Sequence, residues 1–146
     1  MDDDFLALPL HAAADAGLTV ARAAGASHAD VRIHRMRTWT STLRDGALQA
    51  AVDDSDCGVA VRVLLDGTWG FASHPVPGPD GAADAAARAV AVARTLRALN
   101  RDPVQWADEP VHRDAVWVSP YEIDPFTVPA AERVAVLEDR SRRLQD

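Results

Sequence analysis

The chain contains no lysine: all fifteen of its basic residues are arginine, a pattern that points to compositional bias rather than an arginine-specific task. It contains one cysteine, Cys57, which excludes an intrachain disulfide and a cysteine-rich metal site. Aromatic residues make up only 5%. No apolar run approaches the roughly 18 residues that suggest a membrane span. Neither a Walker loop nor G-x-G-x-x-G is present, nor is the zincin pattern His-Glu-x-x-His. No serine sits in a G-x-S-x-G elbow, which argues against a hydrolase nucleophile. The start, Met1-Asp-Asp-Asp4, is acidic, the opposite of a secretory n-region, so a cytoplasmic protein is expected. The net charge of -7 weighs against a general nucleic-acid binder, whose affinity rests on neutralising phosphates.

What remains is 146 residues, nearly half of them apolar, many of those alanine. The most informative stretch runs from Cys57 to His74. Val59, Val61 and Val63 alternate with Ala60, Arg62 and Leu64, the period of a half-buried strand. Asp66-Gly67 is the sequence of a type I′ hairpin turn, and Gly70 in the return strand marks a bulge or a close backbone approach. Before it, helical spacing over residues 9–24 ends at Gly25, a natural residue for a left-handed cap. A strand is expected over 30–43, a turn at Asp45-Gly46, a short strand over 47–52 and a polar loop at 53–56. Pro75 to Gly81 breaks regular structure and offers Asp80 as a helix cap before a helix over 82–99. A short strand at 115–119 and a last helix from Thr127 or Val128 toward Asp146 complete the reading. The expected fold is α+β, with a mostly antiparallel sheet of about four strands and helices packed on one face.

Candidate chemistry is sparse. His11, His28, His34, His74 and His112 lack ligand spacing. Cys57, His34 and His74 would offer three zinc-type donors if their strands were neighbours, although packing and surface roles are the commoner fate of such residues. The acidic runs Asp2–Asp4 and Asp53–Asp56 lack the glycine and terminal glutamate of a calcium loop. Trp39, Trp69, Trp106 and Trp117 read as core fillers ahead of a binding platform. No residue is assigned as catalytic, cofactor-binding or metal-binding. The threonines Thr38, Thr40 and Thr42 suit an exposed edge strand able to pair with a peptide or another subunit.

Three motifs carry a family resemblance. They are His28-Ala-Asp-Val-Arg-Ile33, then Gly58-Val-Ala-Val-Arg-Val63 with Gly67 and Gly70-Phe-Ala-Ser73, then Val118-Ser-Pro-Tyr-Glu-Ile-Asp-Pro-Phe126. In order and spacing the chain resembles the N-terminal domain of the TldD/PmbA family, zinc metalloproteases and their paired subunits, historically labelled modulators of DNA gyrase. The family's H-E-x-x-x-H signature is not in these residues, so no catalytic or zinc residue carries over. The resemblance implies an N-terminal domain at 1–126 and a helix at 127–146 leading toward a missing C-terminal catalytic domain. It implies zinc only in the full-length protein, none in this chain. It further implies degradation of small or unfolded peptides, with a homo- or heterodimeric partner subunit of the same family. This chain would then shape the cleft or the assembly; no membrane and no nucleic-acid role is expected. The alternative is a stand-alone non-catalytic adaptor or binding module of the same fold.

Overall fold

The structure, a computed structural model, describes residues 3–145; the acidic start at Met1 and Asp2 and the terminus at Asp146 lie outside them. The element order is α1 (Asp3–Leu6), α2 (Leu10–Ala23), β1 (His28–Arg44), β2 (Ala47–Leu65), β3 (Thr68–His74), α3 (Pro79–Leu96) and α4 (Ala130–Arg143). A single 3₁₀ turn, Arg97–Leu99, extends α3. The strands form one three-stranded sheet in the order β1-β2-β3. Both connections are two-residue turns, Asp45-Gly46 and Asp66-Gly67, with positive φ at all four positions. That geometry matches the right-handed twist of the flanking strands. The register of the second hairpin runs from Val59 opposite His74 to Leu65 opposite Thr68.

The sheet thus has three strands, not four. Residues 47–52 and 57–65 belong to one strand, because the expected polar loop at 53–56 stays extended within it. These positions are exposed, so their charges cost no desolvation there, and Asp53 is engaged by Arg37 of β1. Residues 115–119 form no strand: Val116 and Trp117 are 79% and 82% exposed, without the pairing that a strand needs. The helix α3 begins at Pro79 rather than at 82, with Gly78 as its cap instead of Asp80. Proline at the first helical position has its φ already set, and Asp80 instead lies in the first turn, where its charge suits the dipole. The last helix starts at Ala130, after a turn in which the Asp124 carboxylate accepts the Phe126 N–H and the Asp124 carbonyl accepts the Thr127 hydroxyl.

Two compact units divide the chain. One comprises the residues up to Met36 with Ser55–Asp108; the other comprises Arg37–Asp54 with the residues from Glu109 onward. In the first unit, Val59, Val61, Val63 and Leu65 of β2 face α2 and α3 with Val31 of β1. Each buried valine contributes about 1.5–3 kcal/mol. The helical side is built from alanine: Ala13 and Ala21 on α2, and Ala82, Ala85, Ala86, Ala89 and Ala93 on α3. Small side chains let the helices approach closely. A Cβ at Gly70 would overlap the Ala89 carbonyl oxygen and lie 2.8 Å from the Ala93 nitrogen, so close approach is the reason for this glycine. Helix α2 ends in a left-handed cap at Gly25, with Ala26 N–H donating to the Ala21 carbonyl and Gly25 N–H to Arg22.

The second unit is held by arginines. Arg37 makes a fork to Asp53, with Nε to Oδ1 at 2.9 Å and Nη2 to Oδ2 at 2.6 Å, and lies over the Phe126 ring. Arg133 stacks on Trp39 at 4.0 Å, and Ser141 of α4 accepts the Gly46 N–H at 3.0 Å. Arg37 holds the Asp53 carboxyl below its usual value, chiefly through their hydrogen bond.

Gly70→Val is expected to leave the chain unable to fold, and Gly70→Ala to cost about 3 kcal/mol, at the upper end of overpacking effects, in thermal or denaturant unfolding. Gly78→Ser, which adds a capping oxygen to α3, should stabilise by a few tenths of a kcal/mol in the same assay. A carboxylate with a lowered pKa adds stability above its unfolded pKa and loses it as pH falls through the folded one. In an NMR titration the Asp53 midpoint should therefore rise toward the ordinary aspartate value in Arg37→Gln.

Candidate functional site

With helices on one face of the first unit, the other face is open. Strand alternation puts Asp30, Arg32 and His34 of β1 on it, beside Ala60 and Arg62 of β2. Register adds Phe71 opposite Arg62, Ser73 opposite Ala60 and Trp69 opposite Leu64. Phe71 is 60% exposed.

One end of this face is closed by an aromatic and ionic cluster. The Trp106 ring stacks on His28 with centroids 4.3 Å apart, and Trp69 meets both edge-on at 5.4 and 5.9 Å. Arg62 lies over Trp69 at 4.7 Å and donates from Nε to Asp30 Oδ2 at 2.8 Å. His28 Nε2 approaches the same oxygen at 3.5 Å. Trp106 is brought here by the chain beyond α3. Val104 N–H and Asn100 Nδ2 both donate to the Gly67 carbonyl, at 2.8 and 2.9 Å, and Asn100 also reaches Thr68 Oγ1. Arg97 pairs with Asp66 at 2.6 Å. The hairpin turn is thus the anchor of the segment carrying Trp106.

The tryptophans are therefore not core residues. Trp69 and Trp39 are half-buried, and Trp106 and Trp117 are 47% and 82% exposed. The interior is packed with alanine, and Trp39, Trp69 and Trp106 lie at surfaces where arginines cover them, whereas Trp117 is open to solvent. The cluster of His28, Asp30, Arg62, Trp69 and Trp106 was missed by sequence reasoning. Nothing local would have paired Asp30 with Arg62, 32 positions apart, or added Trp106, 37 residues beyond Trp69.

The other end of the face is a cleft of about 370 Å³, lined among others by His34, Asp56, Cys57, Phe71, Ser73 and His74. It does bring together the three donors considered from sequence. Among the described residues, however, no group of three His, Cys, Asp or Glu side chains is placed to hold a metal ion. His74 Nδ1 accepts the Val76 N–H at 3.1 Å and so caps its own turn. Cys57 has the strand parity of the inward Val59 and also borders a hollow beside Phe5 and Leu8. His11 and His112 lie apart on exposed positions.

Residues 29–93 match the family described as PmbA/TldA metallopeptidase domain 1. A relative described as a metalloprotease, from Methanothermobacter thermautotrophicus strain Delta H, is 31% identical over 112 residues. The match covers 77% of this chain and 23% of that protein, so the chain spans under a quarter of the relative's length.

Arg62→Ala removes a cation lying over Trp69 and leaves Asp30 with His28 alone. It should lower stability by about 1 kcal/mol, the scale of a partly exposed cation–π contact with its hydrogen bond. The tryptophan emission and near-ultraviolet dichroism should change with it. Arg88→Ala, on the helical side, should leave both spectra unaltered.

Proposed function

From the premise that this chain carries the first domain of the PmbA/TldD metallopeptidase family, at residues 29–93, we propose that it is the non-catalytic N-terminal part of a zinc metallopeptidase acting on small or unfolded peptides. In this reading the open sheet face forms part of the wall against which the peptide is held. Residues 127–146 lead on to the portion that performs hydrolysis. Residues outside this chain would hold the zinc, whose chemistry there would be the activation of water. Association with a second subunit of the family and a cytoplasmic location complete the proposal. No helix among the described residues is long and apolar enough to cross a membrane.

The observation that carries the reading is the asymmetry of the sheet in the first unit. One face is sealed by α2 and α3, whereas the other presents Phe71, Arg32 and His34 to solvent along a cleft. The outer strands β1 and β3 add main-chain edges suited to a subunit or an extended peptide.

The test uses the polypeptide in which this chain is joined to its catalytic portion. Peptide turnover there should fall to background with a chelator and return with zinc. Phe71→Ser should raise KM several-fold with zinc content unaltered. The 146-residue chain by itself should not hydrolyse peptides; chelator-resistant turnover by it would overturn the proposal.

A further inference from the structure

The chain carries a net charge of -7 and Asp56 lines the first cleft of the open face, yet guanidinium outnumbers carboxylate at one place on that face. A second cleft there, of about 300 Å³, is lined by Asp30, Arg32, His34, Ala60, Arg62 and Phe71. Its charges are two guanidiniums against one carboxylate. That carboxylate is already engaged, by Arg62 Nε at 2.8 Å and by His28 at 3.5 Å. Asp30 therefore serves to aim Arg62 rather than to neutralise the cleft. The Trp69 ring lies 4.7 Å from the guanidinium carbon, and Nε is the only nitrogen of Arg62 occupied by a hydrogen bond among the described residues. The two terminal nitrogens of Arg62 remain as donors. Arg32 makes no hydrogen bond, ion pair or ring contact among the described residues.

Two arginines on adjacent strands, one held by Asp30 and one without a partner, suit an oxyanion with two acceptor atoms. Beside them stands Phe71, directly opposite Arg62 in the register and 60% exposed. It offers an apolar surface to whatever carbon chain bears the anion. Phosphate carries no such apolar group, and the net charge of the chain repels nucleic acid. We infer that Arg32, Arg62 and Phe71 form a subsite for a peptide carboxylate that has an apolar side chain next to it. The inference rests on the reading of this domain as a peptide-binding wall and names the part of the peptide it takes. The carboxylate has two sources in a peptide, the C-terminus and an acidic side chain. The α-carboxylate fits better, since its apolar neighbour is on the same residue.

The test measures binding by the 146-residue chain itself, with tryptophan emission as reporter and calorimetry as check. The probes are an acetylated hexapeptide ending in leucine with a free carboxylate, the same peptide as its C-terminal amide, and an amidated version with glutamate before the leucine. The free acid should bind at least tenfold tighter than the simple amide, with affinity falling as salt rises. The glutamate-containing amide should recover no more than part of that difference; full recovery would reassign the site to acidic side chains and overturn the C-terminal assignment. Arg32→Gln, which removes no hydrogen bond, ion pair or ring contact among the described residues, should weaken the free acid about tenfold and leave the melting temperature unaltered. Phe71→Ser should weaken it several-fold. Equal affinities for acid and amide, or an unaltered affinity in Arg32→Gln, would overturn the inference, as would displacement of the peptide by equimolar inorganic phosphate. Because the readout is binding, a chain that holds the acid but whose parent protein fails to cleave peptides would overturn the proposed function and leave this subsite standing.

Discussion

In the first unit the helix α3 lies so close to β3 that backbone meets backbone at Gly70, where any side chain would overlap the Ala89 carbonyl oxygen. That close approach depends on small residues along both surfaces. It explains why α3 presents Ala82, Ala85, Ala86, Ala89 and Ala93, and why Gly17 of α2 sits 3.0 Å, as a notional Cβ, from a Val31 methyl. The core is thin, and its apolar volume comes mainly from the valines of β2. A thin core cannot hold large aromatics, and the arrangement of the rest follows from this.

Tryptophans excluded from the interior need another way to hide their rings. Trp106 does so by stacking on His28 and Trp69 by meeting both rings edge-on beneath Arg62. Trp39 does so beneath Arg133 in the second unit. Arginine suits this arrangement, for a planar guanidinium covers an aromatic face and forks to a carboxylate in ways an ammonium does not. Arg37 with Asp53 and Phe126 repeats the device. In the first unit the same residues also organise the open face, since Asp30 fixes the direction in which Arg62 can donate.

The connection to function runs through that asymmetry between faces. A sheet of three strands with one sealed side leaves alternate residues of β1, β2 and β3 on the other, where Leu64, opposite Trp69, is nonetheless buried. On β2 those are Ala60 and Arg62, and on β3 Phe71 and Ser73. The family match from residue 29 to 93 spans these strands and α3 up to Ala93, so the matched region contains both the close-packed seam and the open face. The metal donors considered from sequence, His34, Cys57 and His74, line one cleft without converging, because His74 is turned to its own backbone and Cys57 has the parity of the buried valines.

Local rules in the sequence were enough for the hairpin at Asp66-Gly67, the turn at Asp45-Gly46, the left-handed cap at Gly25 and the alternating valines of β2. Each depends on residues within a few positions of one another, and backbone sterics decide each of them without help from afar. The family resemblance was legible for the same reason, in short motifs at fixed spacing. Tertiary structure decided the rest. Asp53–Asp56 read locally as a loop, yet stays in strand because a distant partner strand and Arg37 take up its groups. Residues 115–119 read as a strand, yet find no pairing partner. The cluster around Arg62 required β1, β2, β3 and the chain beyond α3 to meet, contacts spanning up to 78 positions from His28 to Trp106. Local preference sets where a chain can turn or extend; only long-range packing sets which of those extended segments acquire partners, and so which face of the sheet is left open.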